Sequence, residues 1–128
     1  MYGSSITFLY YDDFDKATDF FESILKLELV MNQGFARIYK TGKSGFLGIV
    51  RRSEASIEYD SRAGVLISLN TSDVEEEYKK ISKLNVRDLS EIKYFENIPL
   101  KSFFFKDHEG YNFEIQQFMK KEDLKIFN

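Results

Sequence analysis

The sequence predicts an α+β chain made of two βαβββ repeats, and three observations carry that expectation. A β-prone aromatic run leads straight into a helix that opens on aspartate. That succession restarts in the second half of the chain. In each half the helix is followed by extended runs separated by turn residues. Aligning Asp13 with Asp73 sets Phe14 over Val74, Phe21 over Ile81 and Ile24 over Leu84, and brings Gly48 near Glu114. Neither half can bury its sheet alone. The halves are therefore expected side by side, as a curved eight-stranded mixed sheet with helices on the outside and a concave cleft.

The elements follow in order. Ser5–Tyr11 is rich in β-branched and aromatic residues and reads as the first strand. Asp12 and Asp13 can accept from the free N–H groups of a helix start. Phe14, Ala17, Phe20, Phe21, Ile24 and Leu25 then recur at helical spacing, so one helix is expected from about Asp13 to Leu25. Leu27–Met31, Phe35–Lys40 and Phe46–Val50 are extended, the last two joined by the turn Thr41-Gly42-Lys43-Ser44-Gly45. Repeat one thus spans about 5–50. The polar, aperiodic segment 51–63 reads as a linker, with Ile57 and Tyr59 as its anchors.

Repeat two spans about 64–118. Val65–Thr71 is a strand, and Ser72-Asp73-Val74-Glu75 has the form of a capping box. Val74, Tyr78, Ile81 and Leu84 make the apolar stripe of a second helix, whose outer face (Glu75, Glu76, Lys79, Lys80, Lys83) is ordinary solvated charge. Asn85–Pro99 holds a short extended piece and a loop. Leu100–Lys106 and Asn112–Phe118 form a closing hairpin, and the tail 119–128 is expected to fray or to lie on a partner.

Composition narrows the function. With 128 residues, the chain fits one domain or two small half-domains sharing a core. Thirteen Phe and eight Tyr exceed what a minimal core needs, which suits an aromatic-lined cavity or a subunit contact. A net charge of −3 with scattered Lys and Arg excludes a nucleic-acid reader, which needs a basic stripe. The absence of cysteine removes disulfides, thiolate metal sites and cysteine nucleophiles, and one histidine leaves little room for a histidine-rich site. No signal-peptide pattern and no long apolar run is present, so no membrane association and a cytoplasmic location are expected.

The opening Ile6-Thr7-Phe8-Leu9-Tyr10-Tyr11-Asp12-Asp13-Phe14, with Phe20-Phe21 and Leu25-Lys26-Leu27, resembles that of the vicinal oxygen chelate superfamily, which contains glyoxalase I, extradiol dioxygenases and bleomycin-resistance proteins. Segments 32–39 and 46–50 are similar to its next strands. Asp107-His108-Glu109-Gly110-Tyr111-Asn112-Phe113-Glu114 resembles its closing turn, where His108 replaces the usual proline. The resemblance implies four metal-ligand positions, which fall here on Ile6, Gly48, Leu66 and Glu114. A catalytic divalent ion needs about three protein ligands. One carboxylate does not meet that, and a subunit-swapped dimer would draw on the same four positions. No metal and no cofactor are therefore expected. His108 is read as a water-exposed turn residue. The resemblance also implies a homodimer.

Strand alternation selects the cleft residues. Leu9 and Tyr11 cover the helix side, leaving Ile6, Phe8 and Tyr10 inward. Ala36 and Ile38 suit helix packing, so Phe35, Arg37 and Tyr39 are read as inward. Phe46, Gly48 and Val50 follow, then Ser68 and Asn70, then Phe103 and Phe105, then Asn112, Glu114 and Gln116. The candidate ligand-binding set is Phe8, Tyr10, Arg37, Tyr39, Phe46, Gly48, Asn70, Phe103, Phe105, Asn112 and Gln116, with Glu114 as the candidate acid/base. Arg37 could grip an anionic ligand or pair with Glu114 or another acid. Gly48 could leave room for the ligand. An aromatic cleft with a few convergent polar groups implies metal-independent binding of an aromatic or amphipathic small molecule. The alternative is a lyase, isomerase or dioxygenase-like enzyme using Glu114 as acid/base or metal ligand. A third reading is a dimeric scaffold whose cleft is filled by its partner or by its own tail.

Overall fold

The computed structural model describes residues 1–127. The chain divides into two compact units, Met1–Glu58 and Tyr59–Asn128, and the division falls inside the segment read as a linker. Each unit is an α+β layer with a βαβββ order of elements.

In the first unit β1 (Ile6–Tyr11) leads into α1 (Phe14–Asp19), followed by β2 (Glu28–Asn32), β3 (Ala36–Lys40) and β4 (Phe46–Arg51). The sheet order is β1-β4-β3-β2, with β1 parallel to β4 and the other pairs antiparallel. Asp13 starts the helix as expected, its Oδ1 accepting from Lys16 N–H at 3.1 Å. The helix does not run on as a regular α-helix to Leu25. From Phe20 to Ile24 it widens into a π-helix, in which Leu25 N–H donates to the Phe20 carbonyl at 2.9 Å. Phe20 and Phe21 are both buried in this wider turn. Phe21 lies edge-on to Tyr11 and stacks on Tyr39 with centroids 5.5 Å apart. A short 3-10 turn, Arg52–Glu54, follows β4, and Arg52 reaches Asp12.

The second unit repeats the plan. β5 (Leu66–Asn70) leads into α2 (Val74–Ser82), then β6 (Lys93–Phe95), β7 (Leu100–Lys106) and β8 (Asn112–Phe118), in the sheet order β5-β8-β7-β6. Here β5 runs parallel to β8. The helix cap is Asp73, whose Oδ1 accepts from Glu76 N–H at 3.1 Å, one residue later than the box read at Ser72. The eight strands thus form two four-stranded sheets, each with its helix. Tyr78 of α2 meets Phe103 edge-on at 5.0 Å, and Phe105 stacks on Phe113 at 5.4 Å. Fully burying each such ring contributes about 1.5–3 kcal/mol.

The tail is helical rather than frayed. Residues Lys121–Phe127 form α3, held to β8 by Phe127 stacked on Phe118 at 4.8 Å. Asn128 lies outside the described residues. Of the linker anchors, Ile57 is exposed, whereas the Tyr59 hydroxyl accepts from Arg62 at 2.7 Å. No helix among the described residues is long and apolar enough to cross a membrane.

Candidate functional site

Strand register sorts the candidate residues by face. In the first unit Ile6 pairs with Phe46, Phe8 with Gly48 and Tyr10 with Val50, all on the sheet face away from the helix. Phe8, Tyr10, Phe46 and Gly48 thus share one face, as read from sequence. Arg37 and Tyr39 do not. They pair with Ile49 and Leu47, which puts them on the helix side, and Ala36 and Ile38 take the far face with Val50 and Gly48. The helix explains the inversion. Glu22 on the π-turn accepts from Arg37 Nη1 and from the Tyr39 hydroxyl, both at 2.7 Å, while Arg37 Nε is buried without a partner. The acid that meets Arg37 is therefore Glu22, not Glu114. Burial first, and the Glu22 hydrogen bond next, push the Tyr39 hydroxyl well above the usual tyrosine range.

Gly48 does not leave room for a ligand. A Cβ placed on it would run into the Phe8 ring, so Phe8 already fills the space over the glycine.

In the second unit Ser68 pairs with Glu114 and Asn70 with Gln116 on the far face. The alternation of β8 enforces this, because Phe113 and Ile115 are buried on the helix side. Ser68 Oγ donates to Glu114 Oε1 at 2.5 Å, and Gln116 Nε2 donates to Asn70 Oδ1 at 2.9 Å. Asn112, facing Leu66 and Lys106, continues the same row. Phe103 and Phe105 were read as part of that face and are not. They pair with Ile115 and Phe113 and are buried under α2, while Phe104 pairs with Glu114. Three consecutive phenylalanines give no alternation to read, and the parity was assigned one residue out.

The turn before β8 is built on Asp107, whose Oδ1 accepts from the N–H groups of Glu109 and Tyr111, both at 3.0 Å. Gly110 takes the left-handed conformation there, at φ 93°. His108 is not the exposed residue expected. Its side chain is 12% accessible and lies 3.3 Å from Glu109, which also receives Arg62 at 3.0 Å. That cluster ties residues 59–62 to the closing turn.

A pocket of about 700 Å³ opens in the second unit, lined by Tyr94, Phe95, Glu96, Asn97, Ile98, Leu100, Glu114 and Gln116. Of the residues read from sequence, the structure brings Glu114 and Gln116 into it. The other walls come from β6, the turn after it and Leu100 of β7, and 85–99 was read as a short extended piece and a loop. Its apolar pairs Tyr94-Phe95 and Ile98-Pro99 were the available signal.

The four positions to which the resemblance assigns metal ligands carry Ile6, Gly48, Leu66 and Glu114. Among the described residues no group of three or more His, Asp or Glu side chains is placed to hold a metal ion. One carboxylate does not make the donor set that such an ion needs.

Comparison with known proteins agrees with this architecture. The family model described as "Glyoxalase/Bleomycin resistance protein/Dioxygenase superfamily" matches residues 4–115. Among solved structures the chain resembles TioX from Micromonospora sp. ML1, at 17% identity and TM-score 0.74 over 92% of this chain and 100% of that one. It resembles a lactoylglutathione lyase from Agrobacterium tumefaciens at 19% identity and TM-score 0.73, over 100% and 99% of the two chains. A fosfomycin resistance protein, FosX from Mesorhizobium loti, is similar at 19% identity and TM-score 0.65, over 97% and 99%. At such identities these structures establish the fold alone. No curated protein matches the sequence. With the family model spanning both βαβββ units, the chain belongs to the glyoxalase/bleomycin resistance protein/dioxygenase superfamily.

Proposed function

We propose that this chain binds an aromatic or amphipathic small molecule, without a metal ion, in the pocket of its second unit. The observation that carries the reading is the pocket itself. Phe95, Ile98 and Leu100 supply apolar wall, while Glu114 and Gln116 supply polar groups held by Ser68 and Asn70. About 700 Å³ suits a drug-sized molecule, and few fixed polar groups on an apolar lining orient such a ligand. Metal independence is supported by the donor inventory, in which Glu114 stands without partners at the matching positions. A homodimer in the cytoplasm belongs to the same reading. The exposed apolar residues Leu29, Val30 and Met31 of the edge strand β2 are compatible with a subunit contact.

Mass spectrometry of material released from the purified protein, with a metal assay on the same sample, tests this. The expected result is a small organic molecule, or an empty protein that takes up amphipathic probes, with divalent metal far below one equivalent. One equivalent of a divalent ion, removed by chelator with loss of probe binding, would overturn it.

One observation favours a second reading, an enzyme of lyase, isomerase or dioxygenase-like type. The Ser68 hydroxyl fixes the Glu114 carboxylate at the pocket wall, which is how a general acid/base is positioned. Under that reading Glu114→Gln abolishes turnover of the bound molecule and leaves its affinity within a few-fold.

A further inference from the structure

We infer that the pocket of the second unit selects a cation, namely a protonated amine carried on an aromatic or aliphatic body. This rests on the proposal that the pocket is a small-molecule site and names the ligand class it takes. The charges of the lining are all of one sign. Two carboxylates, Glu96 and Glu114, line the pocket, and no lysine or arginine does. The nearest basic residue along β6, Lys93, precedes the lining residues Tyr94 and Phe95 and is not one of them. Lys101, next to Leu100, is committed elsewhere and donates to Glu75 of α2 at 2.9 Å.

Glu114 is also poised to receive a cation. Ser68 Oγ donates to its Oε1, which fixes the carboxylate plane. Its other oxygen has no hydrogen-bond donor among the described residues. A carboxylate held in place with one open oxygen meets an ammonium group without losing much side-chain freedom on binding. The remaining lining suits the rest of such a molecule. Tyr94 and Phe95 bring aromatic surface, which attracts cations as well as apolar groups. Ile98 and Leu100 bring apolar wall, and the amides of Asn97 and Gln116 can accept further N–H donors. An anionic ligand would meet two like charges with no counter-charge in the lining, and repulsion of that kind separates ligand classes even where the apolar contacts are equal.

The test uses three probes of one shape, phenylbutylamine, phenylbutanol and phenylbutyrate, titrated into the isotope-labelled full chain near neutral pH and followed by amide chemical shifts. The amine is expected to bind about tenfold tighter than the alcohol, and the carboxylate most weakly, with shifts centred on residues 94–100 and 114–116. Raising the salt should shrink the advantage of the amine and leave the alcohol unchanged. Glu114→Gln should remove most of that advantage without altering alcohol binding. Glu96→Gln, in an exposed turn where folding is not at stake, should reduce it about two- to threefold. If alcohol and amine bind alike at these amides, or if the carboxylate matches the amine, the cation assignment fails and the small-molecule pocket stands. If none of the three shifts these amides, both fail.

Discussion

The two units share a topology and differ in what they do with the sheet face turned away from the helix. Their strand orders are equivalent, β1-β4-β3-β2 against β5-β8-β7-β6, and in each the first strand runs parallel to the last. At matched central pairs the first unit has Phe8 beside Gly48, and the second has Ser68 beside Glu114. The first pair closes the face with an aromatic ring over a glycine. The second presents a hydrogen-bonded carboxylate and borders a pocket. One backbone plan therefore carries an apolar face with its glycine covered in one copy and a polar-edged recess in the other. Side chains on the helix side set the fold, and those on the far face decide what each copy can do.

If the helix sides are equivalent, truncating the matched aromatic cores should hurt both units alike. Phe21 is fully buried between Tyr11 and Tyr39, and Phe113 is fully buried against Phe105. Phe21→Ala and Phe113→Ala are each expected to cost about 3–5 kcal/mol, read from urea unfolding followed by circular dichroism. A mild effect at one and a severe effect at the other would break the equivalence.

A smaller effect separates the two helix sides. The first unit sets a half-buried polar cluster there, Glu22 with Arg37 and Tyr39. Tyr39→Phe removes the hydroxyl that donates to Glu22 and should cost about 1–2 kcal/mol. The sign of its pH dependence follows from the raised hydroxyl. The folded state holds this proton more tightly than the unfolded state does. The stabilisation is therefore complete below the ordinary tyrosine range near about 10 and is lost as pH rises above it. Stability of the wild type should fall more steeply on the alkaline side than that of Tyr39→Phe. Parallel profiles in urea melts from neutral pH upward would show that Glu22 does not hold the proton.

The same cluster shows why sequence was a partial guide. Both repeats, the Asp13 cap and the closing hairpin could be read because period and capping residues are local signals, and the second cap falls one residue past the box at Ser72. The facing of β3 could not be read. Ala36 and Ile38 look like helix-side residues, and Arg37 looks like a cleft residue, until the opposite helix supplies Glu22. The far face of β8 was legible because Phe113, Ile115 and the polar residues between them alternate cleanly. The Phe103–Phe105 run carries no such alternation. The pocket's outer wall lies in a turn, where side chains such as Ile98 follow no period, so only the three-dimensional path of the chain brings it to Glu114.

The smallest expected effect is also the sharpest probe of the far faces. Gly48 lies outside the left-handed region, so its backbone accepts alanine, and a strand glycine replaced by alanine ordinarily gains about 0.5–1 kcal/mol. Here the added Cβ meets the Phe8 ring. Crowding of that kind costs about 1–3 kcal/mol in a packed interior, but Phe8 is 43% exposed and can swing away. Gly48→Ala should therefore come out destabilising by only about 1 kcal/mol. In a Phe8→Ala background the same change should be neutral or stabilising, a coupling of about 1–2 kcal/mol between the two sites in a double-mutant cycle. Additivity would mean that the ring does not seal the glycine. The first unit would then keep room at the position where the second unit keeps Glu114, and the contrast between the two faces would rest on charge alone.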